Sequence, residues 1–110
     1  MPLVTVFNLR QEDQLFEISQ AVQDALTSMP ELKINDYEID VVPVLRPDGF
    51  SGAVTRVNVD FWDGPERTKD ALQELATRVA TAFKRVVGED RKVTVVIKPY
   101  DVGRSGWVSF

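Results

Sequence analysis

A strand pattern, a helical pattern and a second strand pattern run along this chain and then recur in the same order. That doubling limits the fold more than any single motif. Leu3 to Phe7 is an apolar run rich in β-branched residues and reads as a buried strand. Asn8 to Asp13 turns the chain with polar and acidic residues that suit a helix start. From Gln11 to Met29, the residues Leu15, Ile18, Val22, Ala25, Leu26 and Met29 recur at helical spacing, and Pro30 stops the helix. Tyr37 to Val44 is the second strand. Pro43 within it cannot donate to a ladder, which points to a sheet edge or a strand end. Arg46-Pro47-Asp48-Gly49 is turn chemistry, followed by Ser51-Gly52.

The second pass opens at Arg56 to Trp62, where Val57, Val59 and Phe61 alternate with Asn58, Asp60 and Trp62. Asp63-Gly64-Pro65 makes a turn, with Pro65 in the first turn of a helix over Glu66 to Val87. Its apolar stripe is Leu72, Leu75, Ala76, Val79, Phe83, Val86 and Val87, and Gly88 ends it. Lys92 to Tyr100 is a long, nearly continuous apolar strand, and Gly103-Arg104-Ser105-Gly106-Trp107 is a candidate for a short final one.

Two β-α-β units, 2–53 and 54–107, therefore stand head to tail in one domain of 110 residues. A crossover helix implies parallel, right-handed pairing within each unit. The expected fold is α/β (α+β): a four-stranded mixed sheet with two helices on one face. A ferredoxin-like β-α-β-β-α-β sandwich has the same element order and differs only in strand pairing, so periodicity leaves both open.

Composition removes whole classes of chemistry. With no Cys and no His, disulfide scaffolds, thiolate nucleophiles, Cys/His zinc sites and Ser-His-Asp triads are excluded. The net charge of -4, with Lys and Arg scattered among Asp and Glu, argues against a nucleic-acid reader. The opening segment lacks a basic stretch and a cleavage site, and no apolar run approaches the ~20 residues of a membrane span. A cytoplasmic protein with no cofactor, no metal and no membrane partner is expected.

Met1-Pro2 immediately before the first strand separates the remaining readings. Aminopeptidase removal of Met1 would leave a secondary amine at the start of a buried strand. With the doubled β-α-β pattern, the chain resembles the tautomerase superfamily. Lys33-Ile34-Asn35-Asp36-Tyr37, running through Val41-Val42-Pro43 to Phe50-Ser51-Gly52, is similar in order to the migration-inhibitory-factor branch, as are Tyr100-Asp101 and Gly106-Trp107. Asn35-Asp36-Tyr37 with Arg46-Pro47 is similar to the malonate semialdehyde decarboxylase branch. The chain departs from that branch at Gly64-Pro65-Glu66, where the branch has an Arg on each side of a Pro, although Arg67 follows one residue later. It departs from the first branch at Val96 and Lys98, which stand where that branch has a Tyr and an Asn.

The resemblance implies a proline-dependent tautomerase acting on a small 2-oxo acid or unsaturated carboxylate, with the Pro2 amine as general base. An α-amino group titrates at about 7.7–8.0, and burial beside cations lowers that value. Such a base takes a proton α to a carbonyl and returns it to the conjugated carbon. A carboxylate substrate needs cations: Lys33, Arg10 after the first strand, Arg46 and Arg104 in the matching turns, and Lys98 on an otherwise apolar strand are the candidates. Asp36 is the candidate acid/base. Each has a plainer reading as a solvated loop or turn residue. A sheet with one bare face implies a homotrimer that buries it. A non-catalytic member of the same fold and a ferredoxin-like ligand-binding module stand as alternatives.

Overall fold

The computed structural model describes residues 2–46 and 54–109. Met1, the turn expected at Pro47 to Gly49, and Phe50-Ser51-Gly52 lie outside the described residues. The elements are β1 (Leu3–Leu9), α1 (Leu15–Thr27), β2 (Asp40–Leu45), β3 (Val54–Trp62), α2 (Lys69–Val87) and β4 (Lys92–Tyr100). Three short 3₁₀ turns add Pro30–Leu32, Asp36–Glu38 and Val102–Arg104.

The sheet runs β2-β1-β3-β4. β1 pairs with β2 and β3 pairs with β4 in parallel, while β1 and β3 meet antiparallel at the centre with Val4 opposite Val59 and Val6 opposite Val57. Each parallel pair lies within one β-α-β unit. A ferredoxin-like sandwich would interleave the strands of its two units, so this pairing excludes it. Pro43 sits in β2, an edge strand, where its missing N–H costs the sheet nothing.

Both helices cover the face that carries Val4, Val6, Val57, Val59 and Phe61. Ile18, Val22 and Leu26 of α1, and Leu75, Val79 and Phe83 of α2, close the core over it. Fully burying one such side chain stabilises the fold by about 1.5–3 kcal/mol. Leu9 joins this core although strict alternation from Val4 and Val6 would turn it outward. The cause is Asn8, whose φ of 65° is left-handed, a conformation Asn tolerates better than most residues. Between the pairs Val6–Pro43 and Leu9–Leu45, β1 has one residue more than β2. This bulge shifts the phase of the strand and faces Leu9 inward. The Asn8 amide donates to the Val54 carbonyl at 2.9 Å and holds the bulge against β3.

Of the boundaries that differ from the sequence expectation, four have a clear local reason. α1 starts at Leu15, not Gln11, because the Asp13 carboxylate is bound to the Arg10 amide and to Arg91 and does not cap the helix. β2 starts at Asp40, not Tyr37, because Asp36–Glu38 is wound into a 3₁₀ turn. α2 starts at Lys69, not Glu66: Thr68 is the N-cap, accepting from the Ala71 amide, and Pro65 belongs to the preceding turn. The tail forms no strand among the described residues; Asp101 caps the Val102–Arg104 turn instead.

Candidate active site

Pro2 is buried where β1 begins, with its carbonyl accepting from the Asp40 amide at 3.0 Å. It forms part of the wall of a cleft of about 180 Å³, together with Lys33, Ile34, Glu38, Phe61, Trp62 and Arg67. Three segments converge there. The Pro30–Leu32 turn buries Leu32 and ends at Lys33, whose left-handed φ of 56° closes the turn. The Asp36–Glu38 turn brings Glu38 to the wall. The antiparallel pairing of β1 with β3 brings the end of β3, Phe61 and Trp62, beside the start of β1.

Arg67 ties these segments together. Its Nη1 donates to the Trp62 carbonyl and its Nη2 to the Leu32 carbonyl, the latter at 3.1 Å. Its guanidinium lies 4.4 Å over the Phe61 ring, a cation–π contact. The side chain is only 13% exposed, and Nε–H has no hydrogen-bond partner; Glu66 Oε1 lies 3.8 Å away. The guanidinium places a largely buried positive charge beside the cleft, a setting suited to an anionic ligand.

The sequence candidates separate by position. Pro2 and Lys33 share the cleft. Asp36 and Glu38 are both exposed in one turn, but only Glu38 lines the cleft. Arg10 follows β1 and Arg46 follows β2. Because these strands are parallel, both residues lie at the opposite end of the sheet, where the Arg46 amide donates to the Leu9 carbonyl at 2.8 Å. Lys98 is paired with Asp60 on the uncovered face, its Nζ 5.5 Å from the Tyr100 ring. Arg104 is exposed in the turn after β4 and does not line the cleft. Glu38, Trp62 and Arg67 were not among the candidates. The signal for Arg67 was the Gly64-Pro65 turn before it, while Glu38 and Trp62 carried none.

Trp62 also borders a second cleft of about 400 Å³ with Tyr100, Ser105 and Gly106. Its ring meets Tyr100 edge-on at 6.4 Å and Trp107 at 6.1 Å. Burial raises the Tyr100 phenol above its ordinary value, and the Asp60 charge and hydrogen bond add to this. A larger groove of about 610 Å³ separates the outer faces of α1 and α2, but its wall of Ala21, Ala25, Thr77, Thr81 and Ala82 among scattered charges holds no comparable convergence. No cluster of three or more metal-ligating side chains occurs among the described residues, and no helix among them is long and apolar enough to cross a membrane.

Two parallel β-α-β pairs joined antiparallel, with both helices on one face, describe the tautomerase fold. Solved structures bear this out. A wild-type fused 4-OT in an asymmetric trimer superposes with a TM-score of 0.79 at 14% identity, covering 96% of this chain and 91% of that one. A malonate semialdehyde decarboxylase inhibited by 3-bromopropiolate gives 0.68 at 16% identity, covering 99% and 89%. A member of the cis-3-chloroacrylic acid dehalogenase family gives 0.74 at 13%, covering 96% and 79%. The chain thus has the fold shared by these tautomerase-superfamily enzymes. No protein-family model and no curated protein matches the sequence.

Proposed function

We propose that the chain is a proline-dependent tautomerase of the cytoplasm, acting on a small 2-oxo acid or unsaturated carboxylate. Once Met1 is removed, the Pro2 nitrogen is a secondary amine inside the cleft. The apolar walls from Ile34, Phe61 and Trp62, and the cations Lys33 and Arg67, disfavour its protonated form. From an enol the neutral amine takes the O–H proton, the oxygen electrons form the carbonyl, and the C=C electrons take the proton back from the resulting ammonium to form the C–H bond. The Lys33 ammonium and the positive charge of Arg67 attract the carboxylate. The observation that carries this reading is the burial of Pro2 in a small cleft that Lys33 and Arg67 also line.

The site is proposed to work in a homotrimer. The uncovered sheet face exposes Phe7, Val42 and Val44, and covering it would remove that apolar surface from water. The fused 4-OT neighbours are trimers, which supports the same assembly here.

Intact mass of the expressed protein tests the first requirement, because retained Met1 makes the Pro2 nitrogen an amide and ends the reading. Ketonisation of phenylenolpyruvate by the mature chain and by its Pro2→Ala variant tests the second. A large loss in the variant is expected, and equal rates overturn it.

A further inference from the structure

Of the groups lining the cleft, only one is an acid. Lys33 comes from the end of one 3₁₀ turn, Arg67 from the loop before α2, and Glu38 from the end of the turn that leads into β2. Two cations alone would disfavour an ammonium at Pro2. The carboxylate of Glu38 acts in the opposite sense, because an opposite charge stabilises the charged form of an amine. We propose that Glu38, and not Asp36, is the group that sets the pH range over which the Pro2 nitrogen is a free base. The inference rests on the reading of Pro2 as a free amine and assigns the control of its protonation.

The placement follows from the winding of the chain. In an extended strand from Tyr37, residues 36 and 38 would face the same side, and the choice between their carboxylates would be open. The 3₁₀ turn rotates them apart: the Glu38 amide donates to Asn35 and the Ile39 amide to Asp36, leaving Glu38 on the cleft wall and Asp36 off it. Pro2 is buried while Glu38 and Lys33 are exposed, so water screens both charges in part and the carboxylate acts on the proline nitrogen at reduced strength. The other acids near Pro2 do not line the cleft. Asp40 meets it through its backbone amide, Glu66 stands beside Arg67 at 3.8 Å, and Asp60 is opposite Leu3 on the uncovered face.

Glu38 thus acts through Pro2 as a positioning group for charge. It stabilises the ammonium formed when the proline takes the substrate proton, and it keeps that proton on nitrogen until it returns to carbon. The balance between Glu38 and the two cations then decides the acidic limb of the rate profile.

The test uses mature chain freed of Met1 with methionine aminopeptidase and labelled with ¹⁵N-proline. Of the 6 prolines, Pro2 alone then carries a titrating nitrogen, since the others are amides. In Glu38→Gln the ¹⁵N midpoint of Pro2 is expected to fall by about 0.5 pH unit relative to wild type. Glu38→Asp should recover most of the shift, and Asp36→Asn should leave the midpoint in place. An unchanged midpoint in Glu38→Gln, or an equal shift in Asp36→Asn, overturns the proposal. Should the variants fold poorly, the wild type decides: the ¹³C carboxyl signal of Glu38 must show an inflection at the Pro2 midpoint, and its absence overturns the proposal. The readout does not depend on turnover. A shifted midpoint together with a fully active Pro2→Ala variant would remove the tautomerase reading and leave this inference standing.

Discussion

Arg91 and Asp13 form a two-pronged ion pair, Nη1 to Oδ1 at 3.1 Å and Nη2 to Oδ2 at 2.7 Å, with both side chains only 7% exposed. Arg91 Nε also donates to Thr55 Oγ1 at 3.0 Å, and Asp13 accepts from the Arg10 amide at 2.7 Å. The β1–α1 loop is thereby fastened to β3 and to the start of β4, at the end of the sheet away from Pro2. Removing one partner strands a buried charge. Arg91→Met should cost about 3 kcal/mol in urea unfolding, and the Asp13→Asn/Arg91→Met pair should cost less than the sum of the single changes. Additive losses would show that the pair is not coupled.

The same pair predicts an acid response. Burial pushes the Asp13 carboxyl up, but the Arg91 hydrogen bonds, the Arg10 amide and the Arg91 charge outweigh it and hold it below the usual carboxylate range. A folded-state pKa below the unfolded one gives a contribution that is complete above about pH 4 and is lost as pH falls through the folded value. Wild-type stability should therefore decline on acidification with a component that Asp13→Asn lacks. Parallel declines in urea midpoints measured below pH 4 would refute this.

Arg67 predicts a split between charge and shape. Arg67→Lys keeps the cation but cannot bridge the carbonyls of Leu32 and Trp62 from one planar group. The KM for phenylenolpyruvate is expected to rise about tenfold, equivalent to about 1.4 kcal/mol of carboxylate binding, and the fold to lose about 1–2 kcal/mol. An unchanged KM would take Arg67 out of substrate binding.

The chain has 2 tryptophans, and they touch: the Trp62 and Trp107 rings lie 6.1 Å apart at 59°. Indole transitions this close couple, so the far-ultraviolet circular dichroism should carry a paired band that disappears in Trp107→Phe. In that variant the remaining fluorescence comes from Trp62, which lines the Pro2 cleft, and a carboxylate ligand should alter it. Fluorescence unmoved at saturating ligand would exclude binding beside Trp62.

The uncovered sheet face predicts an assembly defect. Val42 is 44% exposed on β2, opposite Thr5 of β1. Val42→Glu puts a charge on that face and leaves the helix-side core untouched, so sedimentation should show a trimer becoming a monomer of unchanged helicity. A monomeric wild type would remove the proposal at once.

Features carried by local spacing were legible in the residues. The helical stripes through Ile18, Val22 and Leu26 and through Leu75, Val79 and Phe83, the alternation of Val57, Val59 and Phe61, and the stop at Gly88 all depend on neighbours a few positions away. Pro43 narrowed its position to a sheet edge or a strand end, and the sheet order makes it an edge, because a residue without an N–H has few places in a sheet. The candidate site depended on longer reach. Strand direction set Arg10 and Arg46 at the end of the sheet away from Pro2, and the winding of the Asp36–Glu38 turn chose Glu38 over Asp36 for the cleft wall. The Asn8 bulge brought Leu9 inward, and Asp13 left the helix N-terminus for an arginine that only folding brings to it. Periodicity is a property of adjacent residues, whereas a site is a meeting of residues from separate segments, and only strand pairing and chain packing decide which ones meet.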